Sequence, residues 1–297
     1  MGSAFGDRLA ARTAATRGAL CVGLDPRGPF PADVTRGLAD SRSGHARAVE
    51  RYCLGLLEAV APHCVAVKPQ VALFEVLGGY GLTALDAVCE EARARGLLVI
   101  ADAKRGDIAS TATAYAEAWI GRRPGADAPL ADAVTVSPYM GPDTVEPFLA
   151  VADREGAGVF VLARTSNPGA AELEERELAD GGRVWERVAG WIDGWSRART
   201  GTSGVGSVGA VIGATAPEAV RRARELMPAA PLLLPGVGAQ GGSAADLAAA
   251  FAPGSGGGLV VAARSVIEAW REDEGDWQAA VAASAERHHR SVADLLP

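Results

Sequence analysis

The segment VIADAKRGDIAST, residues 99–111, carries an apolar run directly into Asp102, Lys104, Arg105 and Asp107. Burying such charges is costly unless they are paired, so alternating carboxylates and cations here imply a built ionic arrangement. The composition sharpens the point. The chain has 27 arginines and only two lysines, Lys68 and Lys104, so a merely positive side chain is almost always arginine. An ammonium differs from a guanidinium in being a compact point charge whose pKa can be moved, and these two positions therefore call for an ammonium. Lys68 closes the apolar stretch CVAVKPQ, and Asp25 closes LCVGLDPR in the same way.

Side chains at the ends of three apolar runs can meet only if those runs lie side by side. Period and punctuation predict strands at 19–24, 64–68, 97–101, 133–137, 158–163, 208–213, 231–235 and 258–263. Amphipathic stretches at 44–61, 79–95, 109–121, 142–155, 181–198, 217–227, 243–251 and 275–290 predict helices between and after them. Strict alternation of eight with eight predicts an α/β fold, a (β/α)8 TIM barrel forming a single domain over residues 1–297. Such barrels place chemistry where the strands end, and Asp25, Lys68 and Lys104 all fall at strand ends. Residues two apart on a strand share a face, which points Asp102 and Lys104 together into the barrel and leaves Ala101 and Ala103 toward the helices. Ion pairs stapling the rim would satisfy any one of these residues, but not the whole set.

The remaining features narrow the class. A net charge of −7 and no basic run argue against nucleic acid as a partner, and an anionic ligand would need a local positive pocket. No apolar run is long enough for a membrane span, and the first residues lack the apolar centre of a secretory signal, so a cytoplasmic location is expected. Cys21, Cys53, Cys64 and Cys89 lie in apolar segments without CxxC spacing and read as buried free thiols, with no metal site implied. His45, His63, His288 and His289 fall on helices or helix ends, away from the strand ends. PGVGAQGGS fits G-x-G-x-x-G at Gly236, Gly238 and Gly241, yet it follows a seventh strand and lacks the first β-α-β unit of a dinucleotide site. A phosphate held between the loops after strands seven and eight suits that position better, with Gln240 and backbone N–H groups on one side and Arg264 on the other. The long connection 165–182 reads as a solvated acidic face with a mobile Asn-Pro-Gly start.

DAKRGDI resembles the D-x-K-x-x-D-I signature of the orotidine 5′-phosphate decarboxylase family, and the resemblance extends through VGLDPR, VKPQVALFE and AARS over residues 18–270. The length and the TSNP and SPYMG segments are similar to the longer bacterial form. Related barrel enzymes acting on keto-sugar phosphates share D-x-K-x-x-D, but they place an acid where this chain has Lys68, and they bind magnesium.

The resemblance implies decarboxylation of orotidine 5′-monophosphate to uridine 5′-monophosphate (UMP), the last step of de novo UMP biosynthesis, with no cofactor and no metal. Loss of CO2 leaves a carbanion at C6, which needs a fixed positive charge and then a proton. Lys104 would be the donor, in a row Lys68, Asp102, Lys104, Asp107, with Asp102 also near the substrate carboxylate. The resemblance further implies a homodimer in which Asp107, with Ile108 and Thr111, reaches into the partner's site. Asp25 would hold a ribose hydroxyl, Ser166 and its neighbour Asn167 the pyrimidine edge, with Ser137 as an alternative, and Gln240 and Arg264 the phosphate. Three rivals remain at this point: a magnesium-dependent sugar-phosphate lyase, a Schiff-base aldolase and a nucleotide-binding barrel without turnover.

Overall fold

A computed structural model of the chain describes residues 3–126, 128–214, 217–236, 244–252, 254, 256–272 and 275–296. All eight predicted apolar runs become strands: β1 Leu20–Leu24, β2 Ala66–Pro69, β3 Leu98–Arg105, β4 Ala133–Val136, β5 Gly158–Arg164, β6 Val208–Ile212, β7 Leu232–Pro235 and β8 Gly258–Ala262. Each pairs in parallel with the next, and β8 returns to β1, closing the barrel. Alternation along the strands sorts the core into two layers. Cys21, Leu98, Ile100, Ala133 and Phe160 fill the barrel interior. Val22, Val99, Ala101, Val134 and Val161 face outward into the layer beneath the helices.

Seven of the eight predicted helical stretches form helices near the expected limits, among them Arg42–Val60, Gly79–Ala94, Ala109–Ile120, Val184–Arg197 and Trp277–Ala293. Ser41 caps the first of these by accepting from the Gly44 N–H at 3.1 Å, and Asp276 caps the last by accepting from the Gln278 N–H at 2.9 Å. The stretch expected at 243–251 differs, forming 3-10 turns over Ala244–Phe251.

A helix absent from the sequence expectation, Phe5–Thr16, plugs the end of the barrel where the strands begin. Phe5 and Leu9 are fully buried, and the Phe5 ring meets Phe160 edge to face at 5.8 Å. Gly158 makes this approach possible, since a Cβ there would stand 2.5 Å from Phe5 Cδ1. Polar anchors fix the rest. Asp7 accepts from the Thr202 and Ser203 N–H groups at 3.2 and 2.8 Å, while Arg8 pairs with Asp132.

Candidate active site

Strand β3 runs four residues past the expected limit of Ala101, because its charges are satisfied where they stand. Asp102 is the hub. Its Oδ2 accepts from Lys68 Nζ at 2.5 Å and Gln70 Nε2 at 3.2 Å, and its Oδ1 accepts from Lys104 Nζ at 2.6 Å and Thr135 Oγ1 at 3.0 Å. Four donors on one carboxylate offset the cost of burying it. Burial opposes ionisation of Asp102, but Lys68 and Lys104 hold its carboxyl well below the usual carboxylate range. Burial likewise pulls the Lys68 ammonium down, and Asp102 and Asp25 together overcome it, leaving its pKa raised. Both lysines are thus held beside a fixed negative charge, Lys104 by way of an irregularity in the strand and not by regular alternation. The arrangement also weighs against a Schiff-base role, which needs a neutral amine.

Lys104 has φ +48°, in the left-handed region, where a side chain costs roughly 1–2 kcal/mol. The β3–β4 register breaks at the same place. Ala101 pairs with Val134 and Arg105 with Val136, so Asp102, Ala103 and Lys104 all face the single residue Thr135. The Lys104 N–H, displaced from the ladder, donates to Thr135 Oγ1 at 2.9 Å.

These groups line a cleft of about 560 Å³ at the C-terminal mouth of the barrel, to which every strand or the residues following it contribute. Asp25 enters from the end of β1, and its Oδ1 is buried with no hydrogen-bond partner among the described residues. Ser166 and Asn167 enter after β5, and Arg264 enters after β8. Among the described lining residues Lys68, Lys104 and Arg264 face Asp25, Asp102 and Glu174, three cations against three carboxylates. Arg264 is the lining cation without a described partner, because the others are committed to Asp102.

The connection after β5 is also more ordered in its polar contacts than a solvated acidic face. Glu172 and Glu177 are exposed, but Glu174 turns inward and accepts from the Thr165 N–H and Oγ1, each at 2.7 Å. Glu175 accepts from Arg164 at 3.0 Å and from Arg183 at 2.7 Å. Two adjacent glutamates thus tie the connection back to the end of β5 and set the turn bearing Ser166 and Asn167.

The remaining predicted site residues lie elsewhere. Asp107 does not meet Lys104 of its own chain; its Oδ1 accepts from the Ile108 N–H at 2.8 Å, and Ile108 and Thr111 are exposed outside the cleft. Ser137, the alternative base contact, instead donates its N–H to the Arg105 carbonyl and does not line the cleft. Gln240, with Gly238 and Gly241, lies outside the described residues. Gln70, Thr135 and Glu174 were not foreseen. Gln70 and Thr135 carry a signal in retrospect, since each is a polar residue at an inward position, two beyond Lys68 and Ala133 respectively.

The orotidine 5′-phosphate decarboxylase / HUMPS family model matches residues 18–280. The chain belongs to this family. Within it, the chain is similar to the orotidine 5′-phosphate decarboxylases of Rhodopirellula baltica, 42% identical over 290 residues with 94% of this chain and 96% of the relative covered, and of Deinococcus radiodurans, 43% identical over 262 residues with 88% of each covered. The solved structure of Leishmania donovani OMP decarboxylase superposes with a TM-score of 0.75 at 32% identity, covering 98% of both chains. The decarboxylase is therefore a carboxy-lyase of the longer type that converts orotidine 5′-monophosphate to UMP in pyrimidine biosynthesis. Among the described residues, no helix is long and apolar enough to cross a membrane.

Proposed function

We propose that the decarboxylase performs this reaction without a cofactor, with Lys104 delivering the proton to C6 as the carbanion forms. The observation that carries the proposal is Asp102 bonded at once to Lys68 and Lys104, 2.5 and 2.6 Å away, at the mouth of the barrel. Negative charge developing at C6 meets an ammonium already oriented, so little reorganisation is needed in the transition state. The substrate carboxylate comes to lie near Asp102. Two like charges about 4 Å apart repel by roughly 4 kcal/mol at an effective dielectric of about 20, a repulsion that departure of CO2 relieves. Asp25, with its unpartnered Oδ1, suits a ribose hydroxyl donor. Ser166 and Asn167 contact the pyrimidine edge, and Arg264 and Gln240 hold the phosphate, whose binding energy supports a reaction at a small distant group.

Asp107 completes the row from the partner of a homodimer, accompanied by Ile108 and Thr111. Exposed apolar side chains near it support this reading: Ile108 is 59% exposed, and Met140, 47% exposed, packs near Gly106. Arg105 braces the same face, with its guanidinium 5.5 and 5.3 Å from the ring centres of Tyr115 and Trp119. A cytoplasmic location belongs to the same proposal and suits the four free, buried cysteines.

The test is loss of orotidylate absorbance with purified protein, with and without a chelator. Equal rates with stoichiometric UMP are expected. Activity that vanishes on chelation and returns with magnesium would overturn the cofactor-free reading, and UMP binding without turnover would remove the catalytic one.

A further inference from the structure

We infer that Thr135 is a positioning residue for the proton donor, acting through the backbone and the counter-ion of Lys104 at once. The inference rests on the reading of Lys104 as that donor. Thr135 is 1% exposed and points into the barrel, two residues beyond Ala133 of the apolar interior and level with the charged groups of the mouth. A hydroxyl buried there needs partners, and it has one for each role: it accepts from the Lys104 N–H at 2.9 Å and donates to Asp102 Oδ1 at 3.0 Å. Asp102 Oδ1 in turn accepts from Lys104 Nζ at 2.6 Å. The backbone and the side-chain tip of one lysine are therefore fastened to the same small ring of bonds, with Thr135 as the member that joins them.

The backbone explains why such a fastening is needed. Lys104 holds φ +48° at a break in register, where β4 offers only Thr135 opposite three residues of β3. A regular strand would leave the Lys104 N–H on the ladder and would direct its side chain differently. Here the hydroxyl replaces the missing carbonyl, so the left-handed conformation keeps its donor satisfied. Strain persists at a functional position only when the surroundings over-determine it. Thr135 supplies that constraint, and it also supplies one of the four donors that hold the Asp102 carboxylate in place.

Thr135→Val keeps the shape and removes the hydroxyl, while Thr135→Ser keeps the hydroxyl and removes only a methyl. For Thr135→Val, kcat should fall by about 10–100-fold with KM changed less than about threefold, the scale expected when a reacting group is displaced by a fraction of an ångström to one ångström. Thr135→Ser should recover most of kcat. Exchange of the UMP C6 hydrogen with solvent deuterium should fall in parallel with kcat in the valine variant, because it reads the proton transfer without loss of CO2. Thr135→Ala deletes the same hydroxyl and is read in the same way should the valine variant fail to fold. A wild-type kcat in the hydroxyl-free variant, a loss confined to KM, or a serine variant as impaired as valine would each overturn the inference. Lys104→Arg is measured alongside. If it is inactive while Thr135→Val is unimpaired, only the role of Thr135 falls; if it is active, the donor reading falls as well.

Discussion

The donor role proposed for Lys104 depends on a property that arginine lacks. A guanidinium stays protonated and does not match the point geometry of an ammonium, so Lys104→Arg should reduce turnover to below about a hundredth of wild type in a steady-state assay, with partial retention of UMP binding. A rate above a tenth of wild type would assign the proton to another group. The phosphate role proposed for Arg264 is separable from the chemistry. Arg264→Ala should weaken recognition of the phosphorylated substrate by roughly 1.5–3 kcal/mol, the scale of a charge-assisted hydrogen bond, and should affect a substrate lacking phosphate far less. Comparable losses on both substrates would place Arg264 outside the phosphate site. Asp102 gives a pH signature. Its folded pKa is depressed, so its contribution to stability is complete above the unfolded value of about 3.9 and is lost as pH falls below it. Lys68 is raised, so its contribution is complete below about 10.4 and is lost as pH rises through the folded value. Asp102→Asn should cost about 3–5 kcal/mol at pH 7 by stranding the Lys68 ammonium, and should flatten the acid limb of stability measured by urea unfolding. An unchanged acid limb would show that other carboxylates govern it.

Among the elements, β3 and the N-terminal helix show opposite limits of local patterning. The charges that seemed to end β3 instead continue it, because partners from β2 and β4 satisfy them. Only the assembled barrel supplies those partners, so no window of the β3 sequence contains that information. The helix Phe5–Thr16 is legible afterwards from Phe5 and Leu9, four apart on one face, but two apolar anchors in a short polar segment are a weak signal. Its contribution is tertiary, since it closes the end of a barrel that would otherwise expose Phe160 and its neighbours. Phe5→Ala should therefore lower the unfolding free energy by about 3–5 kcal/mol while leaving kcat close to wild type, because the plug lies at the opposite end from the cleft. A loss under about 1 kcal/mol would mean that the helix is a loosely attached appendage. The connection after β5 repeats the lesson of β3. Its run of glutamates resembles a solvated surface, yet Glu174 and Glu175 find donors at Thr165, Arg164 and Arg183.

For the whole molecule, the decisive test is whether two subunits build one site. Asp107→Ala and Lys104→Ala chains should each be nearly inactive alone, since every site then lacks one member of the charge row. After subunit exchange of equal amounts, half the dimers are mixed and carry one intact site in two, so activity should approach about a quarter of wild type for independent sites. Demonstrated exchange without recovery would return Asp107 to its own chain and remove the catalytic role of the dimer. Eight apolar runs alternating with eight helical stretches admit few parallel arrangements, so the barrel was written in the sequence, as was the position of Asp25, Lys68, Asp102 and Lys104 at strand ends; the aim of Lys104 was not, because it depends on a break in the β3–β4 register. Tertiary structure alone decided what holds those groups there. Thr135 lies 33 positions from Asp102 in the chain, Lys68 lies 34 positions from it, and Phe160 meets a helix more than 140 residues earlier. Such contacts depend on register between strands and on the closure of the barrel, which bring together hydrogen-bond partners that no local pattern of residues connects.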